Sequence, residues 1–413
     1  MEMESRVIMD PVHGYIELGT FHTDLLDTKR MQRLRRIKQL GFAYFVYPGA
    51  NHTRFEHSIG TMHLATKLFE LGNMEIYEDL KDEIVASALL HDVGHGPFSH
   101  ATEKVIEKYT NRSHDDVRKI ISSGEIGDIL RDNGMDPSKI AKHIKGETEL
   151  SRVLNSEIDV DKMDYLARDM HYTGVASGRI DTTRLLKHMG FYNRRFMLSP
   201  SAIKAAEALL VSRYWMNSSV YYHHVSRIAE AMCDRACRDL IENKKLRAED
   251  LADMDDISLI CFMREDAKKY GKESYPGKII ERLDSRNLYK RAVYVGVDSV
   301  NDTIFKQKEN TQRAEKEIEE MAKVEPGDVL IDIPRKPDIV EMKARIFVNE
   351  NSYNLIEVSP FISVLSKAHE ENWKMGVFSP KEKIEAVRKA ACEYYNIKPT
   401  KKTVQFTMSE YIS

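Results

Sequence analysis

The sequence predicts a mostly α-helical protein: a helical bundle over residues 1–290 with a small β-hairpin insert, then a smaller α+β lobe over 291–413. Three observations carry this. Apolar residues recur at helical spacing through most of the first 290 residues, two short apolar runs flank Asn193-Arg194-Arg195, and β-branched runs gather only after Arg291.

In the helical half, Met31, Leu34, Ile37 and Leu40 fall on one face, as do Leu64, Leu68 and Leu71. The stretch Phe191 to Leu198 reads as a hairpin between helices. Past Arg291, the runs Ala292–Val295, Val329–Ile333 and Ala344–Val348 read as strands of the lobe. The charge-dense piece from Lys306 to Lys323 reads as a solvated helix or loop. Ser379-Pro380-Lys381-Glu382 has the side chains of a capping box, with proline at the first helical position, so a final helix is expected to run toward Tyr395.

With 413 residues, 42% apolar and 31% charged, the chain can bury a large core, which argues against disorder. A net charge of -3 gives no global attraction to nucleic acid or anionic membrane, so affinity for phosphate must come from local clusters of Lys and Arg. Four cysteines, Cys233, Cys237, Cys261 and Cys392, are too few for a disulfide framework and lack the paired spacing of a structural zinc site. Cys233 and Cys237 share a helical face and read as core. The stretch from Met1 to Arg6 has neither a basic start nor an apolar run, and no segment reaches the length of a membrane span; a cytoplasmic location is expected.

The chemistry concentrates in Leu89-Leu90-His91-Asp92-Val93-Gly94-His95-Gly96-Pro97-Phe98-Ser99-His100. An apolar helix delivers His91 and Asp92 into a stretch where Gly94, Gly96 and Pro97 stop the helix and let backbone approach a ligand. Imidazole and carboxylate together suit Mn, Fe, Zn, Ni or Co, and a carboxylate can share Mg. Adjacent ligands leave one side of such an ion open, as hydrolysis requires. Two donors are too few, and His57 and Asp161 are candidates for the rest. Any one of these histidines taken alone is more often a packed or capping residue.

His57, His91-Asp92 and Asp161 form the H…HD…D pattern of the HD superfamily. The chain resembles its deoxynucleoside triphosphate triphosphohydrolases over about residues 6–300, on the segments Asp10-Pro11-Val12-His13-Gly14, Gln39-Leu40-Gly41, His52 to Ser58, His91 to His100 and Asp159 to Asp169. The sterile-alpha-motif segment of the vertebrate member is not found. The resemblance implies attack on the α-phosphorus of a deoxynucleoside triphosphate, releasing deoxynucleoside and tripolyphosphate. It implies His100 as the general acid, since imidazole titrates near neutrality, with His95 and His114 beside it. Glu103 stands where the vertebrate protein has Asp. Arg54, Lys162 and Arg213 fall on positions that hold phosphates, and Gln39, Tyr165 and Asp169 on positions around the sugar. Leu40 and Tyr221 match the wall that excludes a 2′-hydroxyl, which would be desolvated there without a partner. Tyr222 and His223 are expected near the base.

The segment Asp27 to Lys38 carries six cations on an apolar helical stripe and reads as an amphipathic helix with a solvated basic face. By resemblance, Asp27, Gln32 and Arg35 match residues that read an activating guanine nucleotide, GTP or dGTP, at a subunit interface, and Arg286 and Lys290 match its phosphate partners. A second activator pocket is less well kept: Ser199, Ser201 and Ala205 replace Arg, Lys and Asn, while Asp181 and Arg184 remain with an offset of one. A homo-oligomer, dimer or tetramer, is the expected assembly. Two alternatives stay open from the residues: an HD phosphohydrolase for nucleoside monophosphates, cyclic nucleotides or alarmones, and a nucleic-acid-binding protein on an inactive HD scaffold, tracking phosphates with residues 29–38.

Overall fold

The computed structural model describes residues 6–397, apart from 177, 272–273, 302–303, 305–310 and 335–343. The chain opens with an antiparallel hairpin, β1 (Arg6–Asp10) and β2 (Gly14–Leu18), then two short helices, α1 (Thr20–Asp27) and α2 (Lys29–Arg33). Helices α3 (Arg54–Leu71) and α4 (Lys81–Leu90) follow and run through the first core. Ile84 to Leu90 are all buried, and most of α3 is too, so neither shows the one-sided pattern of a surface helix. Helix α5 (His100–Thr110) begins directly after the Gly-rich turn.

Helix α6 (Val160–Thr173) packs along α3. The Asp159 side chain caps its start by accepting from the Lys162 N–H at 2.7 Å, and Gly174, at φ 70, ends it in the left-handed region. The close approach of the two helices needs glycine at position 60: a Cβ there would lie 1.9 Å from Asp164 Oδ1 and 2.4 Å from Arg168 Nη2.

The expected hairpin is present as β3 (Met189–Tyr192) and β4 (Arg195–Leu198), turned through Asn193 and Arg194, both at positive φ. Helices α7 (Ile203–Met216), α8 (His224–Glu242), α9 (Asp256–Tyr270) and α10 (Tyr275–Asp284) complete the helical part. Cys233 and Cys237 are buried in α8. No helix among the described residues is long and apolar enough to cross a membrane.

The lobe holds β5 (Lys290–Gly296), α11 (Thr311–Ala322), β6 (Leu330–Asp332), β7 (Arg345–Val348), β8 (Asn351–Asn354), β9 (Lys374–Ser379) and α12 (Ile384–Tyr394). Its sheet runs β5-β9-β6, antiparallel throughout, with α11 and α12 packed on it. Four expectations change here. The run at 344–348 is a strand, but β7 pairs with β4 and β8 in the hairpin sheet, because Ala344 and Ile346 pack into the first core. Ser379 caps no helix: it ends β9 opposite Lys290, and α12 starts only after a 3₁₀ turn over Lys381–Lys383. The charged piece forms α11 from Thr311, with 306–310 outside the described residues. It is not wholly solvated, since Glu315 is buried against Arg235, Arg238 and the Ile331 N–H.

The fourth concerns residues 27–38. The helix is short: α2 passes into a 3₁₀ turn at Leu34–Arg36, and Ile37 is extended so that its carbonyl accepts from the Arg54 N–H at 3.0 Å. Its basic face is not simply solvated either. Arg33 is buried and donates to the carbonyls of His95, Ala252, Asp253 and Met254, while Arg30 and Arg36 pair with Asp253 and Asp255.

Candidate metal-dependent active site

One turn into α3, His57 points between α4 and α6 and meets His91, Asp92 and Asp161. The donor atoms of His57, His91 and Asp92 lie within 4.8 Å of one another, close enough for one ion. Asp161, on the first turn of α6, brings its Oδ1 within 2.9 Å of His57 Nε2 and 3.6 Å of His91 Nε2.

The hydrogen bonds of the two rings fit a cation site. His91 Nδ1 donates to the Ala88 carbonyl at 2.8 Å, and His57 Nδ1 donates to Asp164 Oδ2 at 2.7 Å. Both rings then direct Nε2 lone pairs at each other across 3.2 Å. Two such lone pairs repel unless a proton or a metal ion lies between them. Burial opposes charge on His57, but the hydrogen bonds it donates to Asp161 and Asp164 lift it to about 10, and a divalent ion would take the place of the Nε2 proton. Two imidazole nitrogens and two carboxylates fit a divalent metal ion.

Behind the ligands is a buried network that the motif reading did not assign. Asp164 also accepts from His13 Nε2 at 2.6 Å and, through both oxygens, from Arg168 at 2.9 Å, and Arg168 reaches Asp10 at 2.8 Å. Asp164 follows Asp161 by three residues on one helical face, and His13 and Asp10 stand in the Asp10–Gly14 segment, so a signal was present in the sequence.

The expected acid–base group also assembles. Glu103 accepts from His100 Nδ1 at 2.7 Å and from His114 Nδ1 at 2.5 Å, and His95 stacks on His114 at 4.2 Å. Burial alone would raise the Glu103 carboxyl, but the two histidines hold it well below the carboxylate range. Burial likewise opposes a charged His114, yet Glu103 raises it. Burial pushes His95 well below its ordinary value.

His57, His91, Asp92, Asp161, His95, His100 and His114 line a cavity of about 400 Å³ together with Gln39, Leu40, Arg54, Tyr165, Asp169, Arg213, Tyr221 and Tyr222. Gln39 Oε1 is buried without a partner among the described residues. Asp169 accepts from Tyr221 Oη at 2.6 Å and from His52 Nε2 at 2.7 Å, and Arg213 donates to Tyr165 Oη at 3.0 Å. Arg54 is buried, with Nη1 on Asp92 at 2.7 Å and Nε on Ser99 Oγ at 2.6 Å. Two expected contacts face elsewhere. Lys162 turns its ammonium to Asp159 and the Ser156 carbonyl, the ends nearest to it at the start of α6, and His223 is taken up capping α8 through the Val225 N–H.

The residues expected to read an effector lie outside this cavity. Gln32 accepts from Arg35 Nε at 2.9 Å and donates to the Leu26 carbonyl, Arg35 lies over the Phe55 ring, and Asp27 pairs with Arg6. Arg286 donates to the Phe45 carbonyl, and Lys290 is exposed at the start of β5. No hydrogen bond or ion pair joins these two to Asp27, Gln32 or Arg35 among the described residues.

Residues 54–169 match the HD domain, and residues 180–406, more than half of the chain, match the HD-associated region. This chain belongs to the HD-domain family. Among relatives, the HD protein is 36% identical to the uncharacterized protein MJ1154 of Methanocaldococcus jannaschii, over 93% of this chain and 81% of that one. It is 32% identical to the deoxynucleoside triphosphate triphosphohydrolase SAMHD1 homolog of Dictyostelium discoideum, over 69% of this chain and 60% of that protein's length. A crystal structure of a hypothetical protein from Aquifex aeolicus superposes with a TM-score of 0.75 at 28% identity, covering 94% of this chain and 99% of the other.

Proposed function

We propose that this HD protein hydrolyses deoxynucleoside triphosphates to deoxynucleoside and tripolyphosphate. The observation that supports the reading is one cavity lined by His57, His91, Asp92 and Asp161, by His100 and His114, which share the Glu103 carboxylate, and by Gln39, whose buried amide oxygen has no partner among the described residues. The Dictyostelium relative bears the corresponding name.

His57, His91, Asp92 and Asp161 would hold a divalent ion, which when bound would make the attacking water acidic enough to pass a proton to solvent near neutral pH. The chain's own residues do the rest. Water attacks the α-phosphorus, the bond to the 5′ oxygen breaks, and His100, steered through Nδ1 by Glu103, gives that oxygen a proton. Arg54, Arg213 and Lys162 offset the triphosphate charge, Lys162 after leaving Asp159. Gln39 Oε1 accepts from the 3′-hydroxyl, and Asp169, already oriented by Tyr221 and His52, faces the same sugar. Leu40 and Tyr221 leave a 2′-hydroxyl without a partner. Residues 1–290 form the catalytic unit, and 291–413 support its wall: Asp332 of β6 accepts from Arg227 Nε at 2.7 Å, and Tyr294 of β5 donates to the Tyr222 carbonyl.

Guanine-nucleotide activation belongs to the same proposal. Gln32 and Arg35 are already joined at the end of α2, and a second copy of the chain would supply Arg286 and Lys290 to complete the site. Sedimentation and turnover should both rise with GTP or dGTP, and no change in either refutes this part.

Chromatography of a dNTP mixture incubated with protein and Mn or Mg tests the activity. Deoxynucleoside with tripolyphosphate, and slower turnover of the matching NTPs, is the expected result. Orthophosphate released from monophosphates alone would replace the reading with a monophosphatase.

A further inference from the structure

Two of the segments that form the cavity are loops: 38–40, which presents Gln39 and Leu40, and 96–99, which delivers His100. The second is unusual. Phe98 sits at φ 53 and Ser99 at φ 52, ψ -112, conformations that residues with a Cβ seldom adopt and that persist only when surrounding contacts hold them.

The contacts that hold this turn converge on α9. Asp256 Oδ1 accepts from the Phe98 N–H at 2.6 Å, and Asp256 Oδ2 accepts from the Lys38 N–H at 3.0 Å. Ser99 Oγ closes the same bridge by donating to the Lys38 carbonyl at 2.8 Å while it accepts from Arg54. Asp256 is only 5% exposed, so the two N–H groups satisfy a carboxylate that burial would otherwise penalise. We infer that Asp256 is a positioning residue whose carboxylate ties the strained turn before His100 to the segment before Gln39, fixing the proton donor and the sugar-reading pair through one group.

The naming of those two functions rests on the dNTP reading above; the tie between the loops does not. Lys38, Asp255, Tyr44, Arg33 and Cys233 are the charged or titratable groups around Asp256. Burial pushes its carboxyl up to about 6, against the pull of both N–H donors and Lys38. A protonated carboxyl keeps one good acceptor oxygen, so the bridge weakens as the pH falls through that value.

Hydrogen exchange at the Phe98 and Lys38 amides of the full chain decides the matter. In Asp256→Ala, which removes both acceptor oxygens, both should exchange about tenfold faster or more while α3 amides keep their protection. Unchanged protection, or loss at one amide alone, overturns the inference. Should that variant not fold, the wild-type chain serves: after correction for intrinsic exchange, protection at one or both of the two amides should fall between about pH 7 and about pH 5, and pH-independent protection at both overturns it. On substrates, Asp256→Ala should lower kcat about tenfold or more and narrow the preference for dNTP over NTP, because both loops shift. A lower kcat with the preference intact would reduce Asp256 to a structural role. Exchange needs no substrate, so a wild-type chain inert toward dNTPs would refute the proposed activity while leaving this test in force.

Discussion

At the proposed metal end of the cavity the side chains of His57, His91, Asp92 and Asp161 are 1%, 14%, 4% and 26% exposed, whereas at the proposed proton-donating end that of His100 is 63% exposed and that of His114 38%. Partners outside the cavity hold the first group from behind: the Ala88 carbonyl accepts from His91, and Asp164, itself bound by His13 and Arg168, accepts from His57. The second is held by one carboxylate, Glu103, and by solvent. The difference separates two tasks. An ion site must be fixed before the ion arrives, so its orientation is set by folding. A proton donor has to follow a leaving oxygen, and a half-solvated imidazole keeps that freedom.

Substitutions at the two ends should therefore fail in different ways. The largest effect is expected for His91→Ala, which removes a donor with little packing: turnover should fall by about 10⁴-fold, several kcal/mol of transition-state stabilisation, in a chain that still melts cooperatively. Asp164→Asn should fail as a fold. It strips a carboxylate from buried Arg168 and His13, and chemical denaturation should show a loss of about 3–5 kcal/mol, with divalent-ion affinity down about 10–100-fold. His100→Ala should do the reverse, lowering turnover by about 10²-fold or more with stability and metal content unchanged. Comparable turnover in that variant would remove His100 from the chemistry.

The smallest effect concerns the Glu103 pair and carries a pH signature. The folded value of Glu103 is depressed, so its contribution is present above the unfolded value of 4.5 and lost as the pH falls. The folded value of His114 is raised, so its contribution is present below 6.5 and lost as the pH rises through the raised value. The pair stabilises most between those limits. Glu103→Gln should cost about 1 kcal/mol or less near pH 6, since solvent screens His114, and the gap from wild type should narrow at about pH 9. A gap that widens with pH would show that Glu103 acts through other partners.

The contrast also explains what could be read in advance. His91 and Asp92 are adjacent, Asp161 and Asp164 share a helical face, and His100, Glu103 and His114 lie within fifteen residues, so local spacing carried most of the site. What escaped depends on long separations or on backbone acceptors. Asp169 meets His52 across 117 residues, and Arg33 spends its donors on carbonyls at 252–254. Strand β9 was missed because Lys374 and Gly376 break its β-branched texture, and Phe378 is needed to see that it is central. The hairpin at 189–198 was legible from its turn residues, but the arrival of β7 beside it was not, since one residue pair, Leu198 with Ile346, makes that junction.

Anomalous diffraction from crystals grown with Mn²⁺ tests the central claim most directly. The account places a peak bounded by Nε2 of His57 and His91 and by the carboxylates of Asp92 and Asp161. A peak elsewhere, or an ion there that leaves Asp161 outside its coordination shell, would contradict it.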